Sequence, residues 1–170
     1  MKEKANKPKA VTKSLAGYFP AARNGDIKKI RQLLDDGVNI DRRNQNGETT
    51  LMQASAAGRL ECVQLLLDRG ADVNAVTKYG SSAIFYGCSK VDILKLLLDH
   101  GANVDARRRE EMTPLMFSCD YSRSVALLLE RGADPTLTDE RGKTALDHCT
   151  SDEIRRMLED AANKIDYVLK

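Results

Sequence analysis

The most constraining feature of this sequence is a short phrase that occurs four times: a Leu pair, two further residues and a glycine. The glycines of the four copies are Gly37, Gly70, Gly101 and Gly132, so the steps between them are 33, 31 and 31 residues. A fixed period in this range is typical of repeat architectures, in which each unit buries its apolar face against its neighbours. The period therefore predicts a stack of similar units that offers a long surface rather than an enclosed pocket.

Each unit begins with a turn and a short helix, as the second copy shows. Asn46-Gly47 is a turn dipeptide, because glycine accepts a positive φ at no steric cost. Thr49 suits a helix N-cap, where its hydroxyl can accept a hydrogen bond from an amide of the first turn. We expect a short helix after it, with Leu51 and Ala54 facing inward and Gly58 at its end.

A longer amphipathic helix and an extended link complete the unit. The apolar residues of this helix recur at helical spacing over Leu60, Val63, Leu66 and Leu67. Gly70 is its predicted left-handed C-cap, and an extended stretch leads on to the next turn. The sequence therefore predicts repeated pairs of one short and one longer helix.

Four segments match one repeat consensus most clearly: Ala21-Ala22-Arg23-Asn24-Gly25-Asp26, Gly70-Ala71-Asp72-Val73-Asn74-Ala75, Thr113-Pro114-Leu115 and Gly142-Lys143-Thr144-Ala145-Leu146-Asp147. The pattern resembles the ankyrin repeat, and the resemblance covers about residues 14–160. It implies an all-α solenoid of helix pairs linked by short β-hairpin-like turns. It also implies a non-catalytic module that binds other proteins through its hairpin tips and the concave face of its short helices.

The repeat period also divides the chain. The expected segments are a basic, disordered tail (1–13), an N-terminal capping repeat (14–43), three ankyrin repeats (44–76, 77–107 and 108–138) and a C-terminal capping repeat with its helix (139–170). The tail holds five lysines and one glutamate, whereas the whole chain has a net charge of +2. The tail is expected to be a solvated segment, and a contact for an acidic partner or a nuclear address remains the alternative.

Departures from the ankyrin consensus predict local differences. Apolar packing should replace the usual Thr–His hydrogen bond, because the His position holds Met52, Phe85, Met116 and Asp147. Glu111 takes the turn-glycine position of the fourth copy, which predicts a stiffer or differently shaped tip. The third and fourth copies each lack two residues, near Ser89 and Asp120, which predicts tight turns between their helices.

The cysteines are predicted to be reduced core residues of an intracellular protein. Their repeat phase argues against a disulfide framework and a metal site, because Cys88, Cys119 and Cys149 lie where a neighbouring repeat has small residues. The spacings of these three residues and Cys62 contain no paired-ligand motif of a zinc site. No apolar run approaches the ~18 residues of a membrane span, and the lysine-rich start lacks the apolar stretch of a secretory signal. We expect a cytoplasmic protein, or a nuclear one in a eukaryote.

The expected binding surface is formed by the hairpin tips and the exposed side of the short helices. Three neighbouring tips carry Arg42-Arg43, Lys78-Tyr79 and Arg107-Arg108-Arg109, a row of cations that suits an acidic peptide or protein surface. Solvent-exposed loops commonly carry charged residues, so the same pattern is also expected in the absence of a partner. The predicted partner-binding residues are Arg42, Arg43, Gln45, Asn46, Glu48, Lys78, Tyr79, Ser81, Arg108, Arg109, Glu110, Met112, Tyr121 and Arg141.

The sequence lacks the motifs of an enzyme. His148 precedes Cys149, but adjacent helical residues point about 100° apart, so adjacency does not supply nucleophile–base geometry. His100 is expected to be exposed and structural. There is no phosphate-binding glycine loop and no His-x-x-x-His pattern. We therefore predict a monomer with no catalytic activity, no cofactor, no metal, no membrane partner and no small-molecule substrate.

The predicted function is a scaffold or adaptor that binds another protein, and two alternatives remain open. A regulatory inhibitor would use the same surface to occlude the active site of a partner enzyme. A binder of an acidic surface or nucleic acid would use the Lys-rich tail. Nucleic acid is the weaker candidate, because the body beyond residue 13 has a net charge of −2 and phosphate binding needs a sustained basic face.

Overall fold

The computed structural model describes residues 17–168, with side chains as far as Lys164, so the predicted tail lies outside the described residues. Residues 17–168 form helices and turns but no β-strand, and the predicted all-α class is confirmed. None of the helices described has the length and apolar character needed to cross a membrane. The helices are α1 (Tyr18–Asn24), α2 (Ile27–Asp35), α3 (Thr50–Ala56), α4 (Leu60–Asp68), α5 (Ala83–Gly87), α6 (Val91–Asp99), α7 (Pro114–Phe117), α8 (Ser122–Glu130), α9 (Ala145–His148) and α10 (Asp152–Val168).

The helices stack in two rows. The inner row contains the short helices α1, α3, α5, α7 and α9, and each contacts the next. The outer row contains α2, α4, α6, α8 and α10, which contact one another in the same order. Each inner helix also packs on the outer helix that follows it in the chain. This arrangement is the predicted solenoid of helix pairs.

The leucines of the repeated phrase form the core of the stack. The first leucine of each Leu pair is 0% exposed, at Leu33, Leu66, Leu97 and Leu128. Burying a leucine side chain contributes about 1.5–3 kcal/mol, so the period of the sequence is also the period of the stabilising contacts. The prediction is wrong for Leu60, which is 43% exposed. Leu60 is the first residue of α4, and the buried face of that helix begins at Cys62.

The predicted caps of the second copy are confirmed. The Thr49 hydroxyl accepts a hydrogen bond from the Met52 amide at 3.3 Å. Gly70 adopts a φ of +82°, and its amide donates to the Leu67 carbonyl at 2.9 Å. A left-handed φ at this place closes the helix end without the strain that a Cβ would introduce.

The last copy caps its inner helix with a charged side chain. The expected apolar replacement of the Thr–His hydrogen bond holds for Phe85 and Met116, which are buried. Met52 is buried too, but its sulfur also accepts the Thr49 amide at 3.4 Å. In α9, however, the Thr144 amide and hydroxyl donate to the Asp147 carboxylate at 2.8 and 2.9 Å. Apolar packing is therefore the wrong prediction for Asp147, because a carboxylate at this position can itself accept the cap hydrogen bonds.

The turns between the helices of the third and fourth copies are tight, as predicted. The inner helix shortens from seven residues in α3 to five in α5 and four in α7. The Lys90 amide then donates to the Gly87 carbonyl at 2.7 Å, and the Tyr121 amide donates to the Ser118 carbonyl at 2.8 Å. The two missing residues thus shorten the inner helix and its turn, while α6 and α8 keep nine residues each.

Acidic and amide side chains link successive copies behind the tips. In each case a side-chain oxygen of one copy accepts the backbone amide of the next copy. The bonds are Asp72 N–H to Asp41 Oδ1 at 2.9 Å, Asn103 N–H to Asn74 Oδ1 at 2.8 Å and Asp134 N–H to Asp105 Oδ1 at 3.1 Å. Burial raises the pKa of the Asp105 carboxyl, and the Asp134 amide opposes that rise. These repeated bonds fix the register between neighbouring units.

The cysteine prediction is wrong for one pair. Cys119 and Cys149 form a disulfide, with their Cα atoms 4.8 Å apart. The two residues follow the neighbouring helices α7 and α9, so the repeat phase that argued against pairing is what brings the sulfurs together. Cys62 and Cys88 are free and buried, as predicted. Burial raises the pKa of each of these thiols to about 11.

Candidate functional site

Each tip is a compact turn closed by a backbone hydrogen bond. The amide of the first residue donates to the carbonyl four residues later in all four tips: Asn44 to Glu48, Thr77 to Ser81, Arg108 to Met112 and Asp139 to Lys143, at 2.9 to 3.1 Å. Neighbouring tips are also joined, because the Arg109 amide donates to the Tyr79 carbonyl at 2.9 Å and the Glu140 amide donates to the Glu110 carbonyl at 3.1 Å. The second, third and fourth tips are therefore tied into one row.

Two arginines act as straps between tips. The Arg43 guanidinium donates to the carbonyl of Gly47 in its own tip and to that of Val76 in the next copy. Arg107 occupies the equivalent place and donates to the carbonyls of Glu111 and Thr138 at 3.1 and 2.9 Å. Arg43, predicted as a partner-binding residue, thus uses its guanidinium for hydrogen bonds within the protein that connect the first tip to the next copy.

The third tip has a shape that the others lack. Glu110 and Glu111 both adopt a left-handed backbone, with φ of +64° and +58°. Glu111 stands where the other tips have glycine, and those glycines share its positive φ. The predicted difference in shape is confirmed, but it lies at Glu110, whose counterparts in the other tips have no positive φ. A side chain in this region costs about 1 kcal/mol or more, which the tip-to-tip hydrogen bonds must offset. At the equivalent Gly80 a Cβ would come within 2.9 Å of the Arg107 carbonyl oxygen.

The tips and the inner helices enclose a groove. One depression of about 430 Å³ is lined by Asn46, Glu48, Thr77, Tyr79, Ser81, Phe85, Tyr86, Arg108, Arg109 and Phe117. A second, of about 290 Å³, is lined by Arg108, Arg109, Glu110, Met112, Phe117, Asp139, Arg141, Lys143 and His148. The two meet at Arg108, Arg109 and Phe117, and together they are called the tip groove below.

Arg108 lies at the centre of the tip groove on two aromatic rings. Its guanidinium carbon is 4.9 Å from the Phe117 ring centre and 5.6 Å from the Phe85 ring centre. The two phenylalanines contact each other edge to face, with centres 6.0 Å apart. Phe85 is buried, whereas Phe117 is 42% exposed. A guanidinium held in this way keeps its N–H groups for hydrogen bonds to a ligand.

Tyr79 forms a second cation–aromatic cluster on the neighbouring tip. The Lys78 ammonium is 4.9 Å and the Arg109 guanidinium 5.6 Å from the centre of the Tyr79 ring. The Tyr79 side chain is 49% exposed. Large amphipathic side chains of this kind lose little conformational entropy on binding and are enriched among the residues that dominate interface energies.

The carboxylate of Glu48 is used inside the protein. It accepts hydrogen bonds from the Asn44 amide group at 2.9 Å, the Gln53 amide group at 2.6 Å and the Tyr86 hydroxyl at 3.1 Å. Burial, and then the Glu48 charge, raise the pKa of Tyr86 to about 12, so this hydroxyl stays protonated as a donor. Glu48 thus accepts three hydrogen bonds from neutral donors and forms no ion pair with a described cation of the groove.

Asp139 is used in the same way at the other end of the groove. It accepts the backbone amides of Lys143 at 2.9 Å and Arg141 at 2.8 Å, and His148 Nε2 lies 2.9 Å from its second oxygen. The Lys143 amide, followed by the Arg141 amide and His148, lowers the pKa of the Asp139 carboxyl. Asp139 therefore orders the last tip and orients the His148 ring.

Most of the predicted binding residues lie together in the groove. Nine line it: Asn46, Glu48, Tyr79, Ser81, Arg108, Arg109, Glu110, Met112 and Arg141. Lys78 stacks on Tyr79 at its edge, and Arg43 is a strap. The structure leaves three exposed residues outside the lining, Arg42, Gln45 and Tyr121. Whether any of these residues contacts a partner stays a prediction.

The sequence prediction missed the floor of the groove. The floor is formed at the position four residues after the N-cap of each inner helix. Tyr86, Phe117 and His148 line the groove at this position, and Gln53 hydrogen-bonds to Glu48, which lines it. The signal was present, because this position varies from copy to copy within an otherwise repeated frame. Thr77, Phe85, Asp139 and Lys143 complete the part of the lining that the predicted site lacked.

The His148–Cys149 dipeptide does not form a thiol–imidazole pair. Cys149 is bonded to Cys119, and His148 Nε2 is directed to Asp139. His100 is exposed, as predicted, with Nδ1 2.9 Å from the Leu96 carbonyl. Within the described residues, no three His, Cys, Asp or Glu side chains are grouped to hold a metal ion.

Comparison with protein families identifies the class of this repeat. The model described as "Ankyrin repeats (3 copies)" matches residues 19–108, which is more than half of the chain. A second model, "Ankyrin repeats (many copies)", matches residues 97–149. The chain belongs to the ankyrin-repeat family. Ankyrin repeats are generally protein–protein interaction modules, and the family is typically non-catalytic.

Curated relatives match the chain over short segments. The chain is 42% identical over 59 residues to the ankyrin repeat protein YahD of Escherichia coli K12, covering 35% of this chain and 29% of YahD. It is 44% identical over 57 residues to human ankyrin repeat domain-containing protein 29, covering 33% and 19%. It is 39% identical over 69 residues to serine/threonine-protein kinase 12 of Arabidopsis thaliana, covering 38% and 15%. The chain thus spans less than a third of the length of these relatives.

Proposed function

We propose that this chain is a non-catalytic scaffold or adaptor that binds a partner protein with an acidic surface in the tip groove. The observation that carries the proposal is the Arg108 guanidinium stacked on Phe85 and Phe117 beside the Tyr79 cluster. Exposed aromatic rings and arginines at the centre of a depression are the residues that most often dominate binding energy at interfaces.

The sign of the partner's charge follows from how the groove uses its own charges. Within the described residues, five cations in or beside the groove form no ion pair: Lys78, Arg108, Arg109, Arg141 and Lys143. The described lining holds only three carboxylates, Glu48, Glu110 and Asp139, and both Glu48 and Asp139 already accept three internal hydrogen bonds. The groove therefore presents more cationic than anionic groups to a ligand, and an acidic partner complements it.

The tied tips favour tight docking. The straps and the tip-to-tip hydrogen bonds hold the groove in its shape before a partner arrives, so little ordering entropy is lost on binding. We propose a monomeric module. The cytoplasmic location stays a prediction, and the Cys119–Cys149 disulfide favours an oxidising environment instead.

A paired capture experiment tests the proposal. Tyr79→Ala with Arg109→Glu removes one anchor and reverses one charge in the groove, and we expect it to abolish partner capture while the thermal melt stays nearly unchanged. The matched control, Leu60→Ala with Lys95→Glu, makes the same kinds of change at exposed residues of the outer helices α4 and α6. Partners retained by the groove variant as well as by the control would show that binding lies elsewhere.

A further inference from the structure

We infer that the tip groove takes an extended acidic segment in the polyproline II conformation, with an acidic residue at every third position and an apolar residue next to each. This inference rests on the proposed function and adds the backbone conformation and the residue pattern of the bound segment. The observations behind it are the spacing of the cations, the aromatic floor and the internal pairing of backbone groups along the second, third and fourth tips.

The cations of the groove fall on consecutive tips. Lys78 lies on the second tip, Arg108 and Arg109 on the third, and Arg141 and Lys143 on the fourth. Each tip leads into one inner helix, successive inner helices pack on each other, and packed helices lie about 8–10 Å apart. A ligand that meets one cation cluster per tip must therefore place an anionic group about every 8–10 Å.

Only one extended conformation matches this interval on a single edge. In polyproline II, residues three apart share an edge and are separated by about 9 Å. In a β-strand, side chains on one face repeat at about 6.6 Å and 13 Å, so one spacing is shorter and the other longer than the interval of about 8–10 Å between cation clusters. The cation spacing therefore favours a polyproline II ligand whose acidic edge faces the tips.

The floor of the groove suits a second edge of the same ligand. Tyr86 and Phe117 come from successive inner helices, and Phe85 lies beside them. Grooves lined with aromatic side chains bind polyproline II segments, because these have no internal hydrogen bonds to break and present apolar side chains to the rings. An apolar residue next to each acidic residue would contact this floor while the third edge faces solvent.

Strand addition is the competing mode for an extended ligand, and the tips disfavour it. A ligand strand would need unpaired backbone groups along the row of tips. The Arg109 and Glu140 amides and the Tyr79 and Glu110 carbonyls are already paired with each other, and the Thr138 and Val76 carbonyls accept the strap arginines. Recognition therefore depends on side chains.

The span of the groove sets the length of the ligand. Its lining runs from Glu48, which precedes α3, to His148, at the end of α9. Three inter-helix steps of about 8–10 Å separate these helices, which makes about 24–30 Å. A polyproline II segment rises about 3.1 Å per residue, so about nine residues fill the groove.

The test uses defined peptides and the full chain. The probe is a fluorescein-labelled peptide of three Glu-Leu-Pro triplets with blocked ends, and its control has the same composition with the glutamates in one block. We expect the triplet probe to bind about tenfold more tightly than the block peptide in fluorescence polarisation. Equal or tighter binding of the block peptide would show that net charge alone is recognised, and no binding of the triplet probe would equally overturn the inference.

Variants locate the binding. Arg108→Gln and Phe117→Ala should each weaken the triplet probe about tenfold, whereas Arg131→Gln, which removes an arginine on the outer side, should change it less than about twofold. Unfolding curves of each variant exclude a folding defect. If the probe fails but the Tyr79→Ala, Arg109→Glu variant still loses its captured partner, only this inference falls. If that variant keeps its partner, the proposed function falls instead.

Discussion

Along the outer helices a basic side chain of one repeat reaches a carboxylate of the repeat before it, whereas in the tip groove Lys78, Arg108 and Arg109 lie against aromatic rings. The outer pairs are Arg69 with Asp35 at 2.9 Å, His100 with Asp68 at 3.9 Å and Arg131 with Asp99 at 2.7 Å. They recur at equivalent positions near the C-terminal ends of the outer helices. In the groove, by contrast, Arg108 lies against Phe85 and Phe117.

The comparison shows how one residue type serves two purposes in the same stack. An outer cation spends its hydrogen-bond donors on the neighbouring repeat and so helps to fix the register of the stack. A groove cation is held by its flat face and keeps its donors for a ligand. Partly exposed pairs of either kind contribute only about 0–1 kcal/mol, so the stability of both regions depends on the leucine core that they share.

The largest expected effect comes from that shared core. Leu66→Ala should lower the free energy of unfolding by about 2–5 kcal/mol, because it leaves a cavity at a side chain that is 0% exposed. Hydrogen exchange should show that the amides of the groove and of the outer helices lose protection together. Leu60→Ala is the matched control in the same helix, and it should cost less than about 1 kcal/mol because Leu60 is exposed. Loss of protection in one region alone would mean that the two do not belong to one cooperative unit.

A smaller effect, of opposite sign, is expected at the third tip. Glu111→Gly should raise the free energy of unfolding by about 1 kcal/mol, because glycine accepts the φ of +58° without steric cost. Glu111→Ala removes the same carboxylate, which lies 3.4 Å from Arg107, but keeps the Cβ, so it should not stabilise the protein. Chemical denaturation of the three proteins separates these effects. Equal stabilities of the Gly and Ala variants would show that the left-handed backbone carries no strain.

The sequence was sufficient for the features that depend on one repeat at a time. The leucine period, the Thr49 and Gly70 caps and the shortened turns near Ser89 and Asp120 are local consequences of residue type and spacing, and the structure confirms them. An altered third tip was also predicted, from Glu111 at the glycine position, although the backbone that departs from the other tips is that of Glu110.

Features that depend on the neighbouring repeat could not be predicted in the same way. The Cys119–Cys149 disulfide requires that α7 and α9 place their ends side by side, and Arg43 becomes a strap only because the Val76 carbonyl lies within reach. The floor of the groove was missed for a related reason. Gln53, Tyr86, Phe117 and His148 are four different types of side chain, and only the stacking of the inner helices places them in one row.

The smallest expected effects are the coupling energies of one outer ion pair and one groove contact, which compare the two regions directly. A double-mutant cycle of Arg131→Gln with Asp99→Asn should give a coupling of about 0.3–1 kcal/mol at low salt that falls by more than half in about 1 M salt, because exposed ion pairs are screened. A cycle of Arg108→Gln with Phe117→Leu should give about 0.5–1 kcal/mol and change little with salt, since the ring carries a quadrupole and no net charge. Urea unfolding at both salt concentrations provides the values. Equal screening of the two couplings would mean that Arg108 is held by a carboxylate after all, and the groove would then have no unpaired cation at its centre to offer a partner.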